Sequence, residues 1–202
     1  MLRVGLTGSI AVGKSYVCEV FRELGAFVLD ADMMAREVVK PHTKGWQLIV
    51  QHFGKDILKD DGSIDRSKLA EIVFGDEQKR LLLNSIVHPL VIEKQDKWLE
   101  ECERKNPNGI AIIDAALMIE SGGYKRFDKL IVVWCDDKEQ LKRLMNRNNL
   151  SEQEALKRIK AQMPQDEKKK YADFLINTTE GFDKTREQVV RVFRELQRCI
   201  GQ

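Results

Sequence analysis

The sequence has little that would mark a secreted, membrane-embedded or metal-scaffolded protein. Its four cysteines, Cys18, Cys102, Cys135 and Cys199, are widely scattered and form no CxxC pair. That spacing offers neither a disulfide framework nor a zinc ribbon, so reduced thiols and a cytoplasmic location are expected. Only three histidines occur, His42, His52 and His88, too far apart to share a zinc ion. The longest stretch free of Asp, Glu, Lys and Arg runs over 81–92 and contains Asn84, Ser85, His88 and Pro89. A bilayer span needs roughly 20 consecutive apolar residues, so no membrane association is expected. Neither sign of charge dominates. The 34 Lys and Arg against 32 Asp and Glu leave a net charge of +2, too weak a basic excess for bulk nucleic-acid binding. Internal repeats and low-complexity linkers are absent.

What remains is the composition of a folded chain: 202 residues, 43% apolar and 33% charged, enough for one sizeable core and an added lobe. Short apolar runs rich in β-branched residues alternate with longer helical patterns. Leu2–Thr7, Ala26–Asp30, Ile110–Asp114, Leu130–Trp134 and Phe174–Asn177 read as strands, and Ser15–Leu24 and Lys184–Cys199 as helices packed on them. This alternation predicts an α/β fold in three layers, a parallel sheet covered by helices on both faces. Between the second and third strands lie about seventy residues of helical pattern, more than a plain crossover needs. We expect one domain over 1–202. Its core is 1–32, 109–137 and 173–202, with a helical substrate-binding insertion at 33–108 and a charged helical lid at 138–172 lying over the sheet edge as a mobile flap.

The run Gly8-Ser9-Ile10-Ala11-Val12-Gly13-Lys14-Ser15 satisfies the pattern GxxxxGK[ST] between a strand and a helix. The residue types have physical reasons. Glycines let successive amides converge on phosphate oxygens, and the following helix aims its positive end at the same place. Lys14 would neutralise the outer phosphates, and the Ser15 hydroxyl would ligate a Mg²⁺ ion brought by ATP. No Asp is followed three positions later by Gly, and no NKxD or TKxD occurs, so a standard GTPase switch is disfavoured.

Other residues are candidates with two readings. Asp30 and Asp32 share a face if the second strand continues, and a carboxylate there would accept the proton of an attacking hydroxyl. Asp32 equally suits the cap of a helix starting at Met33, with Arg36 one turn further on. Asp114 ends a strand, either as a contact to Mg²⁺, its water shell or an acceptor, or as a plain turn residue. Arg143 and Arg147 share a helix face and suit a transferring phosphoryl group, or form a solvated basic face. The run Lys168-Lys169-Lys170 is read as solvated surface, and His88 as a packed histidine.

Taken together these residues resemble a known family. The P-loop, Asp30-Ala31-Asp32 with Arg36, Asp65-Arg66, His88-Pro89, Asp114 with Leu117 and Glu120, and Gln162-Met163-Pro164 through Tyr171-Ala172-Asp173 follow the order seen in dephospho-CoA kinases, over about 4–193. The resemblance implies a P-loop phosphotransferase with an alcohol acceptor. ATP, with Mg²⁺, would phosphorylate the ribose 3′-hydroxyl of dephospho-CoA to give CoA and ADP, ending coenzyme A synthesis. It further implies Asp32 as general base, and Gly8 with residues 11–16 (Ala11, Val12, Gly13, Lys14, Ser15 and Tyr16) around ATP. Arg143 and Arg147 would close over the phosphates. Arg36, Arg66, His88, Asp114 and Gln162 would face dephospho-CoA. A monomer or small homo-oligomer is expected.

The chain departs from the family pattern in several places. Ser9 and Ala11 stand for two glycines, Tyr16 for a threonine, Ala116 for a proline, and Thr178 for a serine after the last strand. Two other readings are weighed against this one: a P-loop kinase for a different nucleoside or metabolite, and a nucleotide-dependent binding protein without transfer activity. Acceptor dependence of ADP release separates all three.

Overall fold

A computed structural model describes residues 1–200. The five strands are β1 (Leu2–Thr7), β2 (Phe27–Asp30), β3 (Ile110–Asp114), β4 (Lys129–Trp134) and β5 (Phe174–Asn177). They form one parallel sheet in the order β2-β3-β1-β4-β5. Each lies where the β-branched runs place it, with β2 and β4 differing from expectation by one residue at the start. From Val4 to Thr7 every residue of β1 is buried, as are Ile110–Ile113 of β3 and Leu130–Val133 of β4. Burial on both faces is what near-continuous apolar runs demand, and it is the mark of a parallel sheet covered on both sides.

The chain divides into two compact units. The first comprises Met1–Asp30 and the chain from Glu101 onward. Helix α1 (Lys14–Glu23) and the C-terminal helix α9 (Phe182–Arg198) both pack on the sheet through Val17, Val20 and Phe21 and through Val189, Val192 and Leu196. Phe21 and Phe193 meet with tilted rings, centroids 6.4 Å apart. Three further helices, α6 (Asp137–Asn148), α7 (Glu152–Lys160) and α8 (Gln165–Lys169), belong to this unit. The charge of 138–172 suggests a flap over the sheet edge with no part in the core. Instead Gln140, Leu144, Ala155 and Lys168 are buried, so the segment contributes interior side chains.

The second unit, Ala31–Glu100, contains α2 (Ala31–Glu37), α3 (Lys44–Phe53), α4 (Arg66–Phe74) and most of α5 (Glu77–Lys105). It has its own core of Ile49, Ile57, Ile64, Leu69 and Ile86. Its helix starts are specified locally. Thr43 caps α3 by accepting from Trp46 N at 3.2 Å, and Asp65 caps α4 by accepting from Ser67 N and Lys68 N at 3.0 and 3.2 Å. Helix α5 runs straight through Pro89, which has no N–H to give to the preceding turn. Among the described residues, no helix is long and apolar enough to cross a membrane.

All four cysteines are free thiols. Burial pushes Cys135 up to about 11, and burial together with the Asp114 carboxylate raises Cys18 further. Both should therefore resist alkylation at pH 8, where little thiolate forms. Mass mapping after iodoacetamide treatment should find Cys199 modified first, with Cys135 reacting only as the pH approaches 11.

Candidate active site

The loop after β1 explains its own sequence. A Cβ on Gly8 would sit 2.4 Å from the Val133 carbonyl oxygen, so no side chain fits there. Gly13, with φ of 89°, adopts the left-handed conformation that glycine tolerates best and forms the N-cap of α1. Between them Val12 is fully buried in the sheet core and anchors the loop. Ala11 also has positive φ, 62°, without being glycine. Ser9 is buried, and its hydroxyl has no hydrogen-bond partner among the described residues. Lys14 and Ser15 open α1, with Lys14 half-buried and Ser15 exposed. No acidic residue lies in the first turn of α1, so its positive end is left for a ligand. Gly8→Ala should drive the loop off Val133 and abolish nucleotide binding. Calorimetric titration with ADP checks this, alongside a melting curve that registers the strain.

Side chains from α6, the α7–α8 linker and the loop after β5 hold this loop. Thr178 Oγ1 donates to the Val12 carbonyl at 2.7 Å, and its own amide donates to Trp134 O. Arg143 donates through one terminal nitrogen to Thr178 Oγ1 at 2.9 Å and through the other to Thr178 O at 2.8 Å, while its Nε pairs with Glu139 at 2.9 Å. The guanidinium thereby stands beside Gly13, 3.4 Å from where a Cβ would be. Arg147, one turn further along α6, is exposed and donates to the Asn148 side chain. Gln162 accepts from Ile10 N at 2.7 Å, and Gln140 donates to Ile10 O at 2.8 Å. Tyr16, half-buried, packs on Phe182 with ring centroids 4.6 Å apart.

The carboxyl ends of three strands meet here. Asp114 is in register with Leu6 of β1 and Asp30 of β2. Open parallel sheets bind ligands beyond this edge. Asp114 is half-buried and accepts from the Cys18 thiol at 3.7 Å. The segment after it is pinned by Lys168, whose ammonium donates to Ala116 O at 2.8 Å and pairs with Glu120 at 2.9 Å. Thr7 adds a hydrogen bond to the same Ala116 carbonyl at 3.2 Å. This corrects the surface reading of Lys168, which is wholly buried. Burial lowers its pKa, Glu120 opposes that shift, and the nearby Lys14 charge adds slightly to it. Its neighbour Lys169 lies over the Trp134 ring at 3.6 Å from the centroid, and Lys170 is exposed and pairs with Glu167.

The remaining sequence candidates lie in the second unit. The strand stops at Asp30 and α2 begins at Ala31, so Asp32 sits in the first helical turn rather than on a continued strand. Asp32 and Arg36 are both exposed and four apart on α2. Arg66 is the first residue of α4 and is exposed. His88 is exposed on α5, which overturns the expectation of a packed histidine. Four residues that grip the loop or its surroundings escape sequence reading: Thr178, Gln140, Gln165 and Lys168. Amides and hydroxyls carry no periodicity, and a lysine in a lysine run looks like surface. No cluster of three or more His, Cys, Asp or Glu that could hold a metal exists among the described residues.

Comparison with known proteins decides the family. The profile of the dephospho-CoA kinase family matches residues 2–183. The chain belongs to the dephospho-CoA kinase family. Curated dephospho-CoA kinases of Listeria innocua and Carboxydothermus hydrogenoformans are 47% and 43% identical to it over 93% and 95% of this chain and 93% of each relative. A solved dephospho-CoA kinase from Campylobacter jejuni superposes with a TM-score of 0.72 at 31% identity, covering 97% of both chains. A Thermus thermophilus structure superposes with a TM-score of 0.82 at 29% identity over 96% of both. A shikimate kinase from Bacteroides thetaiotaomicron shares the fold alone, with a TM-score of 0.51 at 15% identity. Family membership makes the chain a P-loop kinase.

Proposed function

We propose that the chain transfers the γ-phosphoryl group of ATP to the ribose 3′-hydroxyl of dephospho-CoA, the reaction for which its family is named. The observation that carries this reading is a preformed P-loop with an arginine already seated beside Gly13. The amides of residues 11–16 and the positive end of α1 take the ATP phosphates. Lys14 neutralises charge on the outer phosphates, and Arg143 and Arg147 supply planar donors to the transferring group.

The general base in this reading is Asp32. It follows Asp30, at the carboxyl edge of the sheet, by two residues, and two residues of chain span no more than about 7 Å. Its carboxylate takes the proton of the attacking hydroxyl as the new O–P bond forms and the bond to ADP breaks. Arg36, Arg66 and His88 are proposed as contacts to dephospho-CoA from 33–108, with Asp114 from the end of β3 and Gln162 from the lid, 138–172.

Oxygen donors at Ser15 and Asp114 fit Mg²⁺, a hard cation that prefers one or two protein oxygens plus phosphates and water. When bound, Mg²⁺ supplies charge neutralisation across the phosphates. A coupled assay of ADP release tests the reading. Release should depend on dephospho-CoA and be much slower with AMP, a pyrimidine nucleoside or no acceptor. Equal release without any acceptor would overturn it.

A further inference from the structure

We propose that Gln140 and Gln162 form a clamp that holds the P-loop in its phosphate-receiving shape, and that this chain depends on the clamp because position 11 is alanine. The inference rests on the loop being a nucleotide site, as proposed above, and adds two positioning residues that do not touch the reacting atoms.

The geometry is specific. Ile10 is pinned from both sides, its N–H by Gln162 Oε1 at 2.7 Å and its carbonyl by Gln140 Nε2 at 2.8 Å. Two residues on, the Val12 carbonyl is pinned by Thr178 Oγ1 at 2.7 Å. Ala11, at φ 62°, thus directly follows one fixed peptide plane, Ile10–Ala11, and lies one peptide before another, Val12–Gly13. Left-handed backbone at a non-glycine residue carries a penalty worth about tenfold in an equilibrium constant, so it persists only where its surroundings enforce it.

The enforcing side chain is itself locked. Gln140 is 1% exposed. Its Oε1 accepts from Gln165 Nε2 at 3.1 Å, so its amide nitrogen must face Ile10. Gln165 in turn accepts from Cys135 N at 3.1 Å, just after β4, and shares its two amide hydrogens among Gln140, Cys135 O at 3.0 Å and Asp137 Oδ1 at 3.1 Å. A chain of amides therefore runs from the sheet to the loop. Each member is satisfied, the condition under which buried polar networks specify one geometry. Glutamate at 140 would fail, because it has no donor for the Ile10 carbonyl.

Without the clamp, Ala11 is free to relax and nucleotide binding must then restore the loop. Glycine at 11 would have little to relax from. The test is calorimetric titration with a non-hydrolysable Mg²⁺-ATP analogue. The proteins are the full chain, Gln140→Met and Gln162→Leu, each with Ala11 and with Ala11→Gly. With Ala11, each clamp variant should weaken binding about tenfold. In the Ala11→Gly background the loss should shrink to about threefold or less. Gln162→Glu, which keeps an acceptor for Ile10 N, should bind within about threefold of the unmodified chain. At saturating ATP the kcat of Gln140→Met with dephospho-CoA should fall far less than its nucleotide affinity.

Equal losses in both backgrounds, or no loss in either, would overturn the proposal. Should Gln140→Met fail to fold, the Gln162 pair alone decides, since Gln162 is only partly buried and accepts one hydrogen bond from the loop. The titration contains no acceptor. A chain that binds nucleotide yet leaves dephospho-CoA unphosphorylated therefore contradicts the proposed reaction without touching the clamp.

Discussion

Lys14→Ala should lower kcat for phosphoryl transfer by about two to three orders of magnitude while leaving the fold intact. The expectation follows from what Lys14 is placed to do. It opens α1 directly after the left-handed Gly13, half-buried, at a helix end with no acidic residue in its first turn. Its charge is not needed for packing, because the adjacent core is built from Val12, Val17 and Phe21. It is needed for the triphosphate, whose developing charge has few other cations within the loop itself. The buried Lys168 nearby is committed to Glu120 and Ala116 O, so it cannot stand in. Steady-state kinetics with saturating dephospho-CoA measure the loss, and a melting temperature within a few degrees of the unmodified protein shows that the scaffold survives. Near-normal turnover in a folded variant would remove Lys14 from the mechanism.

The second large effect is expected at Asp32. Asp32→Asn keeps size and hydrogen bonding but removes the proton acceptor. It should reduce kcat by about 10²–10⁴ while the affinity for ATP changes little. Asp32 lies in the first turn of α2, where a carboxylate also suits the positive helix end, so the substitution should cost about 0.3–1 kcal/mol of stability at most. Measuring both separates the roles. A purely helix-stabilising Asp32 would lower the melting temperature and spare turnover. A base would do the reverse. The neighbouring Asp30 is the natural comparison, since it ends β2 in register with Asp114 and has no assigned role in proton transfer.

What the sequence reveals and conceals here has a physical pattern. The strands are legible because each is a short, mostly apolar run, β-branched in β3 and β4, and the parallel sheet follows because those runs are apolar without alternation. The loop is legible because Gly8 and Gly13 are required, one by the Val133 carbonyl and one by its φ. Ala11 shows the limit of such reading. The sequence marks it as an unusual residue in a glycine position, but only the structure shows that it adopts glycine's conformation anyway. The means by which it does so are amides and a hydroxyl from distant elements, 130 to 166 positions away in the chain.

Lys168 is the clearest misreading. Three consecutive lysines on a charged helix look alike in sequence, yet their fates differ with helix phase. The first turns inward to hold the turn segment following Asp114, the second covers Trp134, and the third faces water. The start of α2 is a smaller case. Residues 27–30 are an apolar run closed by aspartate, and nothing in Asp30-Ala31-Asp32 shows that the backbone changes from strand to helix between the two carboxylates.

The central claim is that the loop presents a phosphoryl group to an organic hydroxyl rather than to water. A single-turnover reaction with γ-labelled ATP, Mg²⁺ and dephospho-CoA tests it most directly. The label should appear as a phosphomonoester on the ribose 3′-oxygen of the nucleotide product, at a rate that requires the acceptor. Label released as inorganic phosphate at one rate with and without dephospho-CoA would contradict it.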